Sequence, residues 1–65
     1  NLRVYGHNKM IFVEGLNIGE RIEVYSVEGK LLIKKIANQN RMTFNTPKNG
    51  VFILRISGAI YKLTN

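Results

Sequence analysis

The stretch that most constrains this chain is Arg21-Ile22-Glu23-Val24-Tyr25-Ser26-Val27-Glu28-Gly29-Lys30-Leu31-Leu32-Ile33. Ile22, Val24 and Ser26 alternate with Glu23 and Tyr25, the period of two that lays one face of a strand against a core. Glu28-Gly29 interrupts the alternation. Glycine enters positive φ without a steric clash, so the chain can reverse there. Lys30 to Ile36 returns as a second apolar strand. A chain organised around this hairpin is a sheet protein, and the other segments read as strands added to it.

In chain order, Leu2-Arg3-Val4-Tyr5 alternates as a short strand, and Gly6-His7-Asn8 is turn material. Met10-Ile11-Phe12-Val13 follows, with Ile11 and Val13 expected inward and the two segments forming a hairpin. Gly15 to Glu20 reads as a loop, with Leu16 and Ile18 expected to tuck under the sheet; two glycines leave too short a span for a helix. The second arm of the central hairpin, Lys30 to Ala37, places Leu31, Leu32, Ile33 and Ile36 around Lys34-Lys35. That broken alternation marks either a bulge or a strand covered on both faces.

Asn38-Gln39-Asn40 makes a turn, and Arg41 to Asn45 alternates with Met42 and Phe44 on one face. Thr46-Pro47-Lys48-Asn49-Gly50 is a strong stop, with Asn-Gly suited to a left-handed exit. Val51 to Ile56 carries large apolar side chains on both faces and is expected to be a central strand. Ser57-Gly58 predicts a two-residue hairpin into Ala59-Ile60-Tyr61-Lys62-Leu63. The sum is an all-β domain of about seven short strands, a small antiparallel β-sandwich with a barrel as the alternative architecture. The turn residues that set it are Glu28, Gly29, Asn49, Gly50, Ser57 and Gly58.

The chain has 65 residues and no cysteine. It forms one domain, 1–65, in which about 60% of the unfolded surface can be buried, so stability is expected to be modest. Disulfide staples and cysteine-based zinc sites are excluded. No apolar run approaches the roughly 18 residues of a membrane span. The chain begins with Asn1 and is read as a piece of a longer protein.

The formal net charge is +6, and it is unevenly distributed. Glu14, Glu20, Glu23 and Glu28 all precede Gly29, whereas Lys30, Lys34, Lys35, Arg41, Lys48, Arg55 and Lys62 follow it. Such asymmetry suits phosphate, anionic lipopolysaccharide or an acidic protein surface. It also suits the plainer role of keeping a small sheet soluble and its edges unpaired.

The residues name no catalytic chemistry. A hydrolytic triad needs a nucleophile, a base and an orienting acid in mutual reach. The only histidine, His7, falls in an expected turn and reads as a solvated residue. One histidine and four scattered glutamates make no metal site. Neither Glu14 with Glu20 nor Glu23 with Glu28 comes with a desolvating pocket. The isolated glycines do not form a phosphate-cradling loop. Tyr5, Phe12, Tyr25, Phe44, Phe52 and Tyr61 in a basic β domain allow a barrel that stacks single-stranded nucleic acid. Phe44 and Phe52, however, share faces with aliphatic residues and read as core, so nucleic acid is not the expected partner.

Two segments together carry a resemblance. Ile22-Glu23-Val24-Tyr25-Ser26-Val27-Glu28-Gly29-Lys30-Leu31-Leu32 is similar to the V-x-V-Y-x-x-x-G-K-L-V hairpin of C-terminal sorting domains of the type IX (Por) secretion system. Thr43 to Ile56, with Pro47, Gly50 and Phe52, resembles the family's later Gly-aromatic strand, and Ser57-Gly58 with Tyr61-Lys62-Leu63 resembles its closing hairpin. The likeness spans about two thirds of the chain. Val4 to Val13 with Gly15 resembles a shorter opening hairpin found in Bacteroidetes surface proteins. The chain lacks the family's Pro-Asn-Pro opening and ends in Leu63-Thr64-Asn65 rather than in basic residues.

The resemblance implies an immunoglobulin-like, non-catalytic domain without a cofactor. It would follow a passenger N-terminal to Asn1 in a secreted or cell-surface protein and be recognised by machinery at the outer membrane. Anionic lipopolysaccharide is a further partner that the family implies. Carried onto this chain, the recognition surface would include the terminal strands, the Gly29 and Gly50 turns, and Lys30, Lys34, Lys35, Arg55 and Lys62. The other reading from the sequence is a structural accessory domain packed on a surface enzyme or adhesin.

Overall fold

A computed structural model describes residues 1–65. Seven strands form, with no helix: β1 Arg3–His7, β2 Met10–Glu14, β3 Arg21–Ser26, β4 Leu31–Ile36, β5 Arg41–Asn45, β6 Val51–Ile56 and β7 Ala59–Thr64. They build two antiparallel sheets, one ordered β1-β2-β5 and the other β4-β3-β6-β7. The chain is therefore a small immunoglobulin-like β-sandwich and not a closed barrel. The connections β2–β3, β4–β5 and β5–β6 each carry the chain from one sheet to the other.

The inner faces follow from the alternation. Ile11 and Val13 of β2, Ile22 and Val24 of β3, and Phe52, Leu54 and Ile56 of β6 are buried together, joined by Phe44 of β5 and by Leu16 and Ala37 from the loops. β6 lies between β3 and β7. It is a central strand, as its two-sided apolar pattern predicts.

The broken alternation of β4 is a bulge. Val24 pairs with Ile33, but the next residue, Tyr25, pairs with Leu31. Leu32 is the extra residue, which lets Leu32 and Ile33 both pack against the core. The strand is an edge, and its outward Leu31 and Ile36 are exposed, so it is not covered on both faces.

Three local expectations are corrected. The first turn falls at Asn8-Lys9 (φ 50° and 62°), and Gly6 and His7 belong to β1. Gly6 sits inward beside the end of β7. A Cβ there would lie 2.4 Å from Asn65 Cβ and 2.8 Å from Leu63 Cδ1, so the glycine serves a close approach and not a reversal. Leu16 is buried, but Ile18 is 68% exposed. The Gly15–Glu20 loop is pinned instead by backbone bonds from Leu16 N–H to the Asn40 carbonyl (2.9 Å) and from Gly19 N–H to the Ala37 carbonyl (2.8 Å). Gly50 leaves its turn at φ 156°, a positive value that side-chain-bearing residues rarely adopt but far from that of the left-handed helical region.

The Ser57-Gly58 hairpin forms as expected. Both residues have positive φ (48° and 92°), and Ile56 pairs with Ala59 across the two-residue loop. Gly29 has φ 91° in the β3–β4 turn, where its N–H bonds the Ser26 carbonyl at 2.9 Å.

Candidate recognition surface

Antiparallel pairing places each turn at one of two ends. The Asn8-Lys9, Val27–Lys30 and Thr46–Gly50 connections share one end with Asn65, while Ser57-Gly58 lies at the other. The Glu28-Gly29 turn and the Asn49-Gly50 turn are neighbours there, since Ser26, Val27 and Glu28 line one hollow together with Lys48, Asn49 and Gly50. Three of the six turn residues singled out in the sequence, Glu28, Asn49 and Gly50, thus line one hollow; Gly29 belongs to the same β3–β4 turn without lining it, and Ser57 and Gly58 lie at the other end.

Asn65 ties this end together. Its side-chain Oδ1 accepts from Gly50 N–H at 3.1 Å, and its Nδ2 donates to Thr46 Oγ1 at 2.9 Å and to the Met10 carbonyl at 3.4 Å. Its own N–H donates to the Gly50 carbonyl at 3.0 Å. One side chain therefore links β2 of one sheet with the start of β6 in the other. Thr46, the one buried polar residue, also donates to the Lys48 carbonyl at 2.9 Å. Asn49 Oδ1 accepts from Lys9 N–H at 2.9 Å. Nothing in the local sequence marks Asn65 for this role, because its partners lie between 15 and 55 residues away.

The basic residues singled out in the sequence separate. Lys34 pairs with Glu23, Arg55 pairs with Glu23 from the other side, and Lys62 pairs with Ile53. Directly opposed residues share a face. Since Ile22 and Val24 point inward, Glu23, Lys34, Arg55 and Lys62 occupy the outer face of the β4-β3-β6-β7 sheet. Lys35 pairs with Ile22 and so belongs to the other side of β4, exposed at the sheet edge. Lys30 lies in the turn before β4. The structure brings three of the five onto one face.

Each sheet carries on its outer face a glutamate between two cations. On β1-β2-β5, Glu14 lies 3.9 Å from Arg3 and 3.7 Å from Arg41, and accepts from the Tyr5 hydroxyl at 3.1 Å. On β4-β3-β6-β7, Glu23 lies 3.9 Å from Arg55, accepts from the Tyr25 hydroxyl at 3.0 Å, and has Lys34 opposite it. The sequence spacing does not reveal either cluster, because each is assembled by strand register. These partly exposed pairs contribute at most about 1 kcal/mol each.

The aromatics divide in the same way. Phe44 and Phe52 are buried in the core, whereas Tyr5 and Phe12 stack on each other outside, with centroids 5.0 Å apart and Arg3 lying 5.1 Å over the Tyr5 ring. His7 is exposed at the end of β1. No group of three or more His, Asp or Glu side chains converges on a common point. No protein-family model matches the chain, and neither does any curated protein or solved structure.

Proposed function

We propose that this chain is a non-catalytic sorting or attachment domain of an exported or cell-surface bacterial protein, read by secretion machinery at the outer membrane. The observation that carries the reading is the pair of segments Ile22–Leu32 and Thr43–Ile56, similar to those of type IX sorting domains and folded as part of one sandwich. Their Gly29 and Gly50 turns meet at the end where Asn65 is anchored. A receptor that reads folded surface finds both motifs within one patch.

The domain supplies shape and charge, and any cleavage or attachment chemistry belongs to the partner. The test is a fusion of residues 1–65 to the C-terminus of a periplasmic reporter in a host carrying the machinery. The reporter is expected at the cell surface or in the medium, and only when the domain is attached. Equal periplasmic retention with and without the domain sinks the reading.

The exposed apolar residues of the four-stranded sheet favour a second reading, a structural accessory domain packed on a surface enzyme or adhesin. It predicts that removal of the domain leaves export unchanged but lowers the melting temperature of the neighbour.

A further inference from the structure

Three of the five exposed large apolar residues lie on one sheet face. Leu31 pairs with Tyr25, Ile36 with Arg21 and Ile60 with Arg55, so all three share the outer face of β4-β3-β6-β7. Their exposures are 46%, 56% and 63%, and Val27 (61%) adjoins them in the β3–β4 turn. Half-buried Tyr25 and Ile53 pair with each other on this face, and half-buried Val51 continues it to the start of β6. Arg21, Lys34, Arg55 and Lys62 stand among them against the single carboxylate of Glu23; four cations and one anion leave the face at +3.

We infer that this face is a docking surface for a partner protein with an apolar patch set among carboxylates. Charge complementarity selects an anionic occupant over a second copy, and the aliphatic Leu31, Ile36 and Ile60 set among the cations match a protein patch that mixes apolar groups with carboxylates. A second copy of the chain would bring +3 against +3, and juxtaposed like charges are strongly disfavoured at an interface. Pairing at the β4 edge is opposed by the Leu32 bulge and by Lys34 and Lys35, so the contact is face-on and not strand addition. Strand spacing and rise make the face roughly 15 by 20 Å. That is well below the roughly 800 Å² per partner of a permanent interface, so the complex is transient and salt-sensitive.

This deepens the sorting reading by naming the partner's chemistry, and rests on that reading only for where the partner resides. The test has two arms. In the first, the purified chain is titrated by NMR with a soluble peptide that alternates aspartate and leucine. Shifts are expected at Tyr25, Leu31, Ile53, Arg55, Ile60 and Lys62 and not at Phe12 or Thr43. Lys34→Glu with Lys62→Glu, or Ile60→Ser with Leu31→Ser, should weaken binding at least tenfold, whereas Arg41→Glu on the other sheet should change it less than twofold. Melting curves show whether each variant is folded.

Shifts spread over both faces, an Arg41→Glu effect equal to the double charge reversal, or dimerisation through this face in sedimentation would each overturn the inference. So would no binding at millimolar peptide. In the second arm the same variants are placed in the reporter fusion. Export of the unmodified fusion with undiminished export of Lys34→Glu/Lys62→Glu overturns the docking face and leaves the sorting reading standing. No export of either fusion sinks the sorting reading, and the titration alone then decides the face.

Discussion

The two outer faces of this sandwich are built alike and finished differently. Both hold a glutamate on an inner strand between two cations, with a tyrosine hydroxyl donating to it. On the three-stranded sheet this arrangement closes on itself. Arg3 covers Tyr5, Tyr5 stacks on Phe12, and none of the exposed large apolar side chains lies there. On the four-stranded sheet Leu31, Ile36 and Ile60 remain uncovered. A face that satisfies its own polar and apolar groups offers little to a partner, whereas one with exposed aliphatic groups beside excess charge gains free energy when covered. The difference directs attention to one side of a molecule whose net charge of +6 does not by itself single out a face.

The largest expected effect separates inside from outside within a single strand. Leu54→Ala removes a fully buried side chain and should cost about 2–5 kcal/mol. Ile53→Ala, its neighbour on the outer face, should cost less than half as much. Urea melts of the pair measure this. Equal costs would mean that the outer face is as well packed as the core.

Gly6→Ala comes next. The new methyl would press on Asn65 and Leu63, and overpacking of that kind costs about 1–3 kcal/mol. Asn65→Ala should be similar or slightly smaller, about 1–2 kcal/mol, because Gly50 N–H and Thr46 lose a partner at a half-buried site. In a domain of this size 1 kcal/mol lowers the melting temperature by about 4–8 °C. A shift below 2 °C for both variants would show that the two sheets do not depend on the Asn65 bonds.

The two glutamates sharpen the comparison further. Glu14→Gln and Glu23→Gln should each cost under about 1 kcal/mol, with the loss diminishing in high salt. Glu14, with an arginine on either side, should show the larger effect. The smallest effect belongs to Ile60→Ser, expected within about 0.5 kcal/mol of the parent in thermal melts. A stability loss several times larger would mean that Ile60 is a packing residue and would remove it from the docking face.

Much of the architecture was legible because it rests on local rules. Ile22 with Val24 declared their buried face by alternation and Ser57-Gly58 declared its hairpin, whereas the continuous Met10–Val13 run does not choose a face by periodicity, and Ile11 and Val13, favoured inward, are buried in the structure. The irregular Leu31-Leu32-Ile33 run announced a departure from alternation, although only the pairing of Tyr25 with Leu31 identified it as a bulge. The local rule failed at Gly6, where glycine suggests a turn but serves a close approach from the far end of the chain. It failed also at Ile18, since two apolar residues spaced two apart in a loop need not both find cover.

The candidate surface was legible only in part. Lys34, Arg55 and Lys62 were named as basic residues, but their common face depends on which strands are neighbours. Lys35 and Lys30 were grouped with them by charge alone and lie elsewhere. Arg21, Leu31, Ile36 and Ile60 join the face through register.

By itself, then, the sequence determined the strands, most of the turns and the inward residues, set by residues close along the chain, and, through composition alone, the excess of positive charge. Only the tertiary structure decided that Glu14 and Glu23 each stand between two cations, that Asn65 bridges the sheets, and that one outer face is closed while the other is open. Those features depend on contacts between strands far apart in the chain, and the hydrophobic effect that drives the strands together is non-directional. Their pairing is settled when the whole core closes and hydrogen-bond register assigns each side chain its neighbours.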